Sequence, residues 1–509
     1  MESLSDEVWD VVIAGTSIPQ SLLALSLSRS GKKILHVDHH DYYGGEDAGL
    51  SLQDVENWIL EVNGGHSNTF KDATLTKPPA DAGKLAPSRS YTLSLNPQII
   101  YAQSAILPTL VASRVHTQLE FLAVGSLWIH RAGILQKVPS TREDVFNDDT
   151  LSMKDKRGLM KFLRYVLQEE DDQGPNDPED SQISFQEALT SKFKISESLQ
   201  APLQALALSP LPPSLTRFDT ALARIRRHMR SLGYFGPGFG AVVAKYGGNS
   251  ELAQVACRSG AVGGFTYLLG NRLEDLKIIK NTTAANITPD VNDEQQNMIE
   301  GILPDGTRII SRLVVGGRDD LPNSEGGPSS ANSTSAWRSI SIVTDPLRNL
   351  FPQTADNGPV PAVAIVFADA GATGAETAPI YLQVHSEDTG ECPSGQCIIY
   401  ASIADHSPSA KLRLEKSVTD FLATCGVGTS NVWSLSYAYS GADLSSQAGY
   451  TPSEMSAQVT SLAPRPLDIA FSDDVLTSVK DVWKLILGDD AHDDTFLRFE
   501  ERENESEND

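Results

Sequence analysis

Val8-Trp9-Asp10-Val11-Val12-Ile13-Ala14-Gly15 is followed, one helix-length later, by Lys33-Ile34-Leu35-His36-Val37-Asp38. Both are short, nearly continuous apolar runs, the pattern of strands buried on both faces of a parallel sheet. Between them Pro19 can start a helix, because its missing N–H costs nothing in a first turn. Residues 21–30 are rich in Leu and Gly31 stops them, so the whole reads as a βαβ start. The turn Gly15-Thr16-Ser17-Ile18-Pro19-Gln20 occupies the place of a GxGxxG dinucleotide fingerprint, and Asp38 lies 23 residues beyond Gly15, near the spacing of a ribose-binding acid. Only the first glycine is there. Ser17 adds a side chain where backbone must approach a pyrophosphate, and Gln20 is bulky where helix and strand must pack closely. Gly15, Ser17, Gln20 and Asp38 are therefore read as a degenerate loop that keeps the fold, and no cofactor is expected.

Working outward, residues 63–90 are rich in Gly, Pro, Ser, Asn and Asp and read as a surface insertion, while 96–123 read as helical. Residues 127–138 read as two strands around Ala132-Gly133. Residues 154–168 form an amphipathic helix with Leu159, Phe162, Leu163 and Val166 on one face. Residues 183–232 are mostly helical, broken at Ser209-Pro210-Leu211-Pro212-Pro213. Next come a helix at 251–257, glycines then a strand at 263–268, and, over 298–317, a strand, an Asp305-Gly306 turn and two further strands. Residues 318–335 are a polar loop. Strands follow at 362–367, 380–384 and 397–402, with helices at 409–423 and 474–487. The expected organisation is a first domain over 1–139, an all-helical domain over 140–234, a return to the first domain over 235–488, and an acidic disordered tail over 489–509.

The 509 residues carry 41 basic and 66 acidic side chains, a net charge of −25. That argues against a nucleic-acid binder, which needs a basic footprint, and against general adhesion to anionic membranes. The acid is uneven: residues 169–180 and 489–509 supply fifteen of the excess charges, read as a solvated loop and tail. Four cysteines in so long a chain, Cys257, Cys392, Cys397 and Cys425, suggest reduced thiols. The acidic opening is no leader peptide and no apolar run spans a bilayer, so a cytoplasmic protein is expected. His36, His39 and His40 beside Asp38 read as a strand-end surface cluster, neither metal site nor base.

Lys32-Lys33-Ile34-Leu35-His36-Val37-Asp38, followed by Tyr42-Tyr43-Gly44-Gly45-Glu46, resembles the opening of the Rab GDP-dissociation inhibitors and Rab escort proteins. The resemblance continues through Ser126-Leu127-Trp128-Ile129, Lys137-Val138-Pro139-Ser140-Thr141, Lys161-Phe162-Leu163-Arg164-Tyr165-Val166, and Glu251-Leu252-Ala253-Gln254 with Arg258, Gly264 and Thr266-Tyr267. It covers roughly residues 8–320. It implies an α/β (α+β) fold with a large flavin-monooxygenase-like, Rossmann-type domain that has lost its flavin, interrupted by a smaller helical domain. It also implies a platform for a GDP-form Rab GTPase at Tyr43, Glu251, Gln254 and Arg258. The spacing i, i+3, i+7 independently puts the last three on one helix face. The departures are Ala253 for a proline, one extra residue before Glu251, and Phe265 for a second glycine.

Of the two branches, the stretch Ser28 to Asp38, the length, and the segment Pro464-Arg465-Pro466-Leu467-Asp468-Ile469-Ala470-Phe471 are closer to the escort proteins. That implies a non-catalytic component A that presents new Rabs to the Rab geranylgeranyltransferase alpha/beta heterodimer, then delivers them with only transient membrane association. The helical domain is implied to contact transferase and geranylgeranyl lipid. In the tail, Val475, Val479, Val482, Trp483 and Ile486 form an apolar stripe, read as packing on the first domain or as cover for the Rab C-terminus or its lipid. The rivals are an inhibitor that recycles prenylated Rabs and a flavin-dependent oxidoreductase.

Overall fold

Val8–Ala14 (β1) lies near the middle of an eight-stranded sheet in the computed structural model, which describes residues 4–77, 85–138, 152–167, 183–236, 238–279, 297–322, 333–353, 359–369, 377–428, 431–442, 450–452 and 458–499. Ile18–Leu27 (α1) leads to Ile34–Val37 (β2), which pairs parallel with β1 from Val11↔Ile34 to Ala14↔Val37. Thr266–Leu268 and Arg308–Gly316 flank them, also parallel. Met298–Ile302 and Asp275–Ile279 extend the sheet antiparallel, and Val459–Leu462 joins the end of Arg308–Gly316. The apolar continuity of β1 has its reason here. Val11 and Ile13 face α1 and the helices Asn249–Val262 and Asp474–Leu487, while Trp9, Val12 and Ala14 face the second core with Leu276 and Ile299.

A second sheet of ten strands runs in the order Phe70–Thr76, Asn431–Ala442, Ser333–Val343, Cys397–Ile403, Ile380–Ser386, Val363–Asp369, Phe121–Arg131, Ala241–Ala244, Ile100–Tyr101, with Ile134–Lys137 paired beside Phe121–Arg131. The helix Pro408–Thr424 covers one face through Leu414, Val418 and Phe421. The chain leaves this sheet at Ile134–Lys137 and returns at Ala241–Ala244. Between them the helices Met153–Leu167, Glu197–Ala207 and Phe218–Ser231 close around Phe162, Phe185, Phe193 and Phe218. The face of Leu159, Phe162 and Val166 is buried there as its spacing predicts. Arg224 ties the block to the rest with a two-pronged pair to Asp468 at 2.6 and 2.7 Å.

Several expectations are corrected. The 63–90 stretch is no mere surface insertion, because Phe70–Thr76 pairs with Asn431–Ala442 as an edge strand and buries Phe70 against Trp58. Within 96–123 helix is confined to Ile106–Ala112 and the short turn Val115–Gln118, and Phe121–Arg131 is already strand. The turn at Gly306 is followed by one strand, Arg308–Gly316, not two. Residues 491–499 are ordered on the core, with Leu497 fully buried. A tail that is disordered from 489 is therefore excluded, and 500–509 lie outside the described residues. The stripe on Asp474–Leu487 packs against α1 and holds Val479, Val482 and Trp483 within the core, as the first of its two readings expected. The acidic 169–180 stretch and Pro139-Ser140-Thr141 lie outside the described residues. Among the described residues no helix is long and apolar enough to cross a membrane.

Candidate functional site

The loop after β2 turns back over α1. Gly44 and Gly45 carry it with φ of +112° and +49°, and a Cβ on Gly44 would strike the backbone of Ala48. The turn leaves Tyr43 partly exposed, its ring edge-on to Tyr267 at 6.0 Å between centroids. The facing helix, Asn249–Val262, begins after three successive positive φ values at Tyr246, Gly247 and Gly248, the stretch that carries the extra residue. Leu252, Ala253, Val255 and Ala256 are buried. Glu251 and Gln254 are half-buried and Arg258 exposed, along one edge of this helix.

Electrostatics tie these groups together. Burial raises the Glu251 carboxyl above its usual range and Arg258 partly offsets the rise. Burial also raises the Tyr43 hydroxyl, again opposed by Arg258. Tyr43 and Glu251 thus each lie within electrostatic reach of Arg258. Beyond Arg258 a cavity of about 310 Å³ is lined by Arg29, Arg114, Val262 and Phe499. The Arg29 guanidinium lies 4.4 Å from the Phe499 ring centroid. The edge is polar, directional and cationic at one end, suited to binding a protein with exposed acceptors.

Behind the loop lies the degenerate turn. Gly15 has φ +86°, and the Asp320 carboxylate sits directly over it. Gln20 Nε2 donates to Asp320 Oδ2 at 3.1 Å, the Gly317 N–H to the same oxygen at 3.2 Å, and the Ser17 hydroxyl to Gln20. Asp38 is buried and accepts from Thr16 Oγ1 at 2.5 Å. A cavity of about 390 Å³ adjoins, lined by Glu46, His39, His40, Asp319 and Asp320 among others. Burial with Asp38 and Asp319 nearby holds the Asp320 carboxyl well above its usual range, and burial beside Asp47 pushes Glu46 up to about 7. A dinucleotide does not fit: its pyrophosphate would meet carboxylates where the fingerprint needs bare backbone N–H groups.

The surface reading of the three histidines is corrected. His36 is fully buried, its Nε2 at 2.5 Å from the Gly15 carbonyl, and burial lowers its pKa to about 4. His39 and His40 are partly buried on the cavity wall.

Sequence reasoning missed the network that fixes the loop to the helix. Buried Asp47 accepts from the Ile18 N–H at 3.1 Å, from Asn96 Nδ2 at 3.1 Å, from Asn249 Nδ2 at 3.5 Å and from Arg465. Arg465 also donates to Gln98. Asn249 opens the helix that carries Glu251, so one carboxylate joins α1, the Tyr43 loop, that helix and residue 465. The only sequence signals were acids and amides inside apolar surroundings, at separations no local pattern reads.

The model of the GDP dissociation inhibitor family matches residues 5–318. "Rab proteins geranylgeranyltransferase component A" of Saccharomyces cerevisiae is 30% identical over 412 residues, covering 80% of this chain and 64% of that protein. The chain thus spans just under two thirds of that relative's length. Among solved structures, Rab GDI from Plasmodium falciparum superposes with a TM-score of 0.64 at 18% identity, covering 95% of this chain and 98% of that one. An oxidoreductase from Methanosarcina mazei superposes with a TM-score of 0.56 at 13% identity, covering 93% and 100%. These two likenesses show the fold alone, a mixed α/β architecture that oxidoreductases also use.

Proposed function

The chain belongs to the GDP dissociation inhibitor family, and on that premise we propose that it is a Rab escort protein. It acts as a non-catalytic component A of Rab geranylgeranyltransferase. It binds the GDP form of a newly made Rab GTPase through Tyr43, Glu251, Gln254 and Arg258. It engages the transferase heterodimer and the geranylgeranyl lipid through the helices between Met153 and Ser231, and delivers the prenylated Rab to membranes. Holding Rab and transferase together gives the flexible Rab tail a high effective concentration at the transferase's active site, so no residue of this chain needs to do chemistry.

The observation that carries this reading is the likeness to a component A over 80% of the chain. The polar edge formed by the Tyr43 loop and the Asn249–Val262 helix supports the platform. In a reconstituted reaction, Rab prenylation requires this chain alongside the transferase; equal product without it ends the escort reading. The family model's own description favours inhibitor activity as the second reading. That reading replaces the first if the chain extracts prenylated Rab from membranes yet forms no ternary complex with the transferase. Removing a charge-assisted donor with Arg258→Ala should weaken Rab binding by about 10- to 150-fold, the equivalent of about 1.5–3 kcal/mol. An unchanged dissociation constant removes the platform assignment.

A further inference from the structure

The crevice beside the degenerate turn holds a donor set that the escort reading does not use. Asp38, His39 and His40 each present a ligand atom, all within 4.8 Å of one another. His40 Nδ1 is 3.0 Å from Asp38 Oδ1; His39 Nδ1 is 3.7 Å from that same oxygen and 3.7 Å from Asp320 Oδ1. Nitrogen and oxygen donors bind zinc at about 2.0–2.2 Å in a tetrahedron, whose edge is then about 3.3–3.6 Å. Two of these separations lie just above that edge and one below it, while the Asp38, His39 and His40 donors spread over as much as 4.8 Å, so closing on an ion takes side-chain shifts of up to about an ångström. Imidazole mixed with carboxylate is the donor chemistry of zinc and its neighbours rather than of magnesium or calcium.

Two further features suit an ion. His39, His40 and Asp320 line the cavity of about 390 Å³, which supplies access and room for a water ligand. The carboxylate of Asp38 is also held from behind: its second oxygen accepts from Thr16 Oγ1 at 2.5 Å, and Thr16 Oγ1 accepts from the Gly44 N–H at 2.9 Å. Such outer hydrogen bonds orient metal ligands. Here they run into the turn that follows Tyr43.

We propose that Asp38, His39, His40 and Asp320 form a binding site for one divalent transition-metal ion, zinc by donor type, which ties the end of β2 to the 317–320 turn and so steadies the loop that carries Tyr43. The site is independent of whether the chain serves as escort or inhibitor. The test uses the full untagged chain, stripped with chelator and titrated with zinc against a chromophoric competitor, and with cobalt followed by visible absorption. One equivalent is expected to bind, with a cobalt band of tetrahedral intensity and a raised melting temperature. His39→Gln, His40→Gln and Asp320→Asn should each weaken binding by about tenfold or more, while His66→Gln, on the same cavity wall, leaves it unchanged. The proposal is overturned if wild-type chain binds less than one equivalent tighter than about 1 mM, if the ligand variants bind like wild type, or if His66→Gln loses the ion equally. Should a ligand variant fail to fold by circular dichroism, the wild-type cobalt spectrum decides, and no band at one equivalent overturns the site.

Discussion

Arg465→Ala removes the cation from the most connected buried cluster near the platform. Arg465 is 3% exposed and donates to Asp47 and Gln98. Breaking a buried pair by deleting one partner costs about 3–5 kcal/mol, because the other charge stays buried without its counterion. Asp47 keeps the Ile18 N–H and the side-chain amides of Asn96 and Asn249, which places the cost at the lower end, about 3 kcal/mol. With a urea slope of about 3 kcal/mol per molar, the unfolding midpoint falls by about 1 M. Tryptophan fluorescence reads it, since Trp58 and Trp483 are both buried in the cores concerned. Rab affinity should fall in the same variant without urea, because Asp47 is what joins the Tyr43 loop to Asn249. A midpoint within about 0.2 M of the parent would refute the claim that this pair holds the loop and helix in register.

Glu46, pushed up to about 7, binds its proton more tightly folded than unfolded, so its contribution is intact below about 4.5 and is lost as pH rises through 7. Glu46→Gln should match wild type near pH 4 and exceed it at pH 8 by about 1–3 kcal/mol; urea midpoints that differ equally at both pH values would rule this out. Arg224→Ala and Asp468→Asn should each loosen the helical block, and the double variant should cost less than the two singles together by about 1 kcal/mol or more; strict additivity would show that the pair does not couple. Leu497→Ala should cost about 2–5 kcal/mol, since the side chain is fully buried; no change would mean the segment after residue 490 does not pack on the core.

What could be read in the sequence, and what could not, divides along burial and locality. β1, α1 and β2 were legible because a strand covered on both faces is apolar throughout and its helix is punctuated by Pro19 and Gly31. The helix at 153–167 was legible from its apolar spacing. Ser333–Val343 and Asn431–Ala442 were not, since serines occupy much of both and hide a long antiparallel pair. Phe70–Thr76 sits on a sheet edge, where the buried Phe70 and Ala73 suffice and Lys71 and Asp72 can face water. Phe496, Leu497 and Phe499 were masked by the acids around them. On the platform, the common helix face of residues 251, 254 and 258 follows from spacing. The Asp47 cluster joins residues up to 418 apart in sequence, and only the tertiary fold brings these together.

The acids of the crevice bear on how a fold shared with an oxidoreductase can order the Tyr43 loop that is proposed to dock a Rab. In a dinucleotide-binding βαβ unit the phosphate satisfies the first N–H groups of the helix and so orders the loops around it. Here the chain supplies one such oxygen itself at the helix start, and further acids tie the neighbouring turns. Asp47 takes the Ile18 N–H, Asp320 takes the Gly317 N–H and Gln20, and Asp38 takes Thr16, which in turn holds Gly44. At Ile18 a tethered carboxylate thus takes the place of a diffusible anion, and the Asp38–Thr16–Gly44 chain holds the turn after Tyr43 whether or not a small molecule is present. The cost is crowding of negative charge, visible in the raised Asp320 and Glu46 carboxyls. Arg465 relieves part of it at Asp47, while the Asp38–Asp320 side is left beside two histidines. That imbalance has a direct consequence: zinc should raise the melting temperature of the parent chain and raise that of Asp320→Asn much less. An equal rise in both would show that Asp320 takes no part in holding the ion.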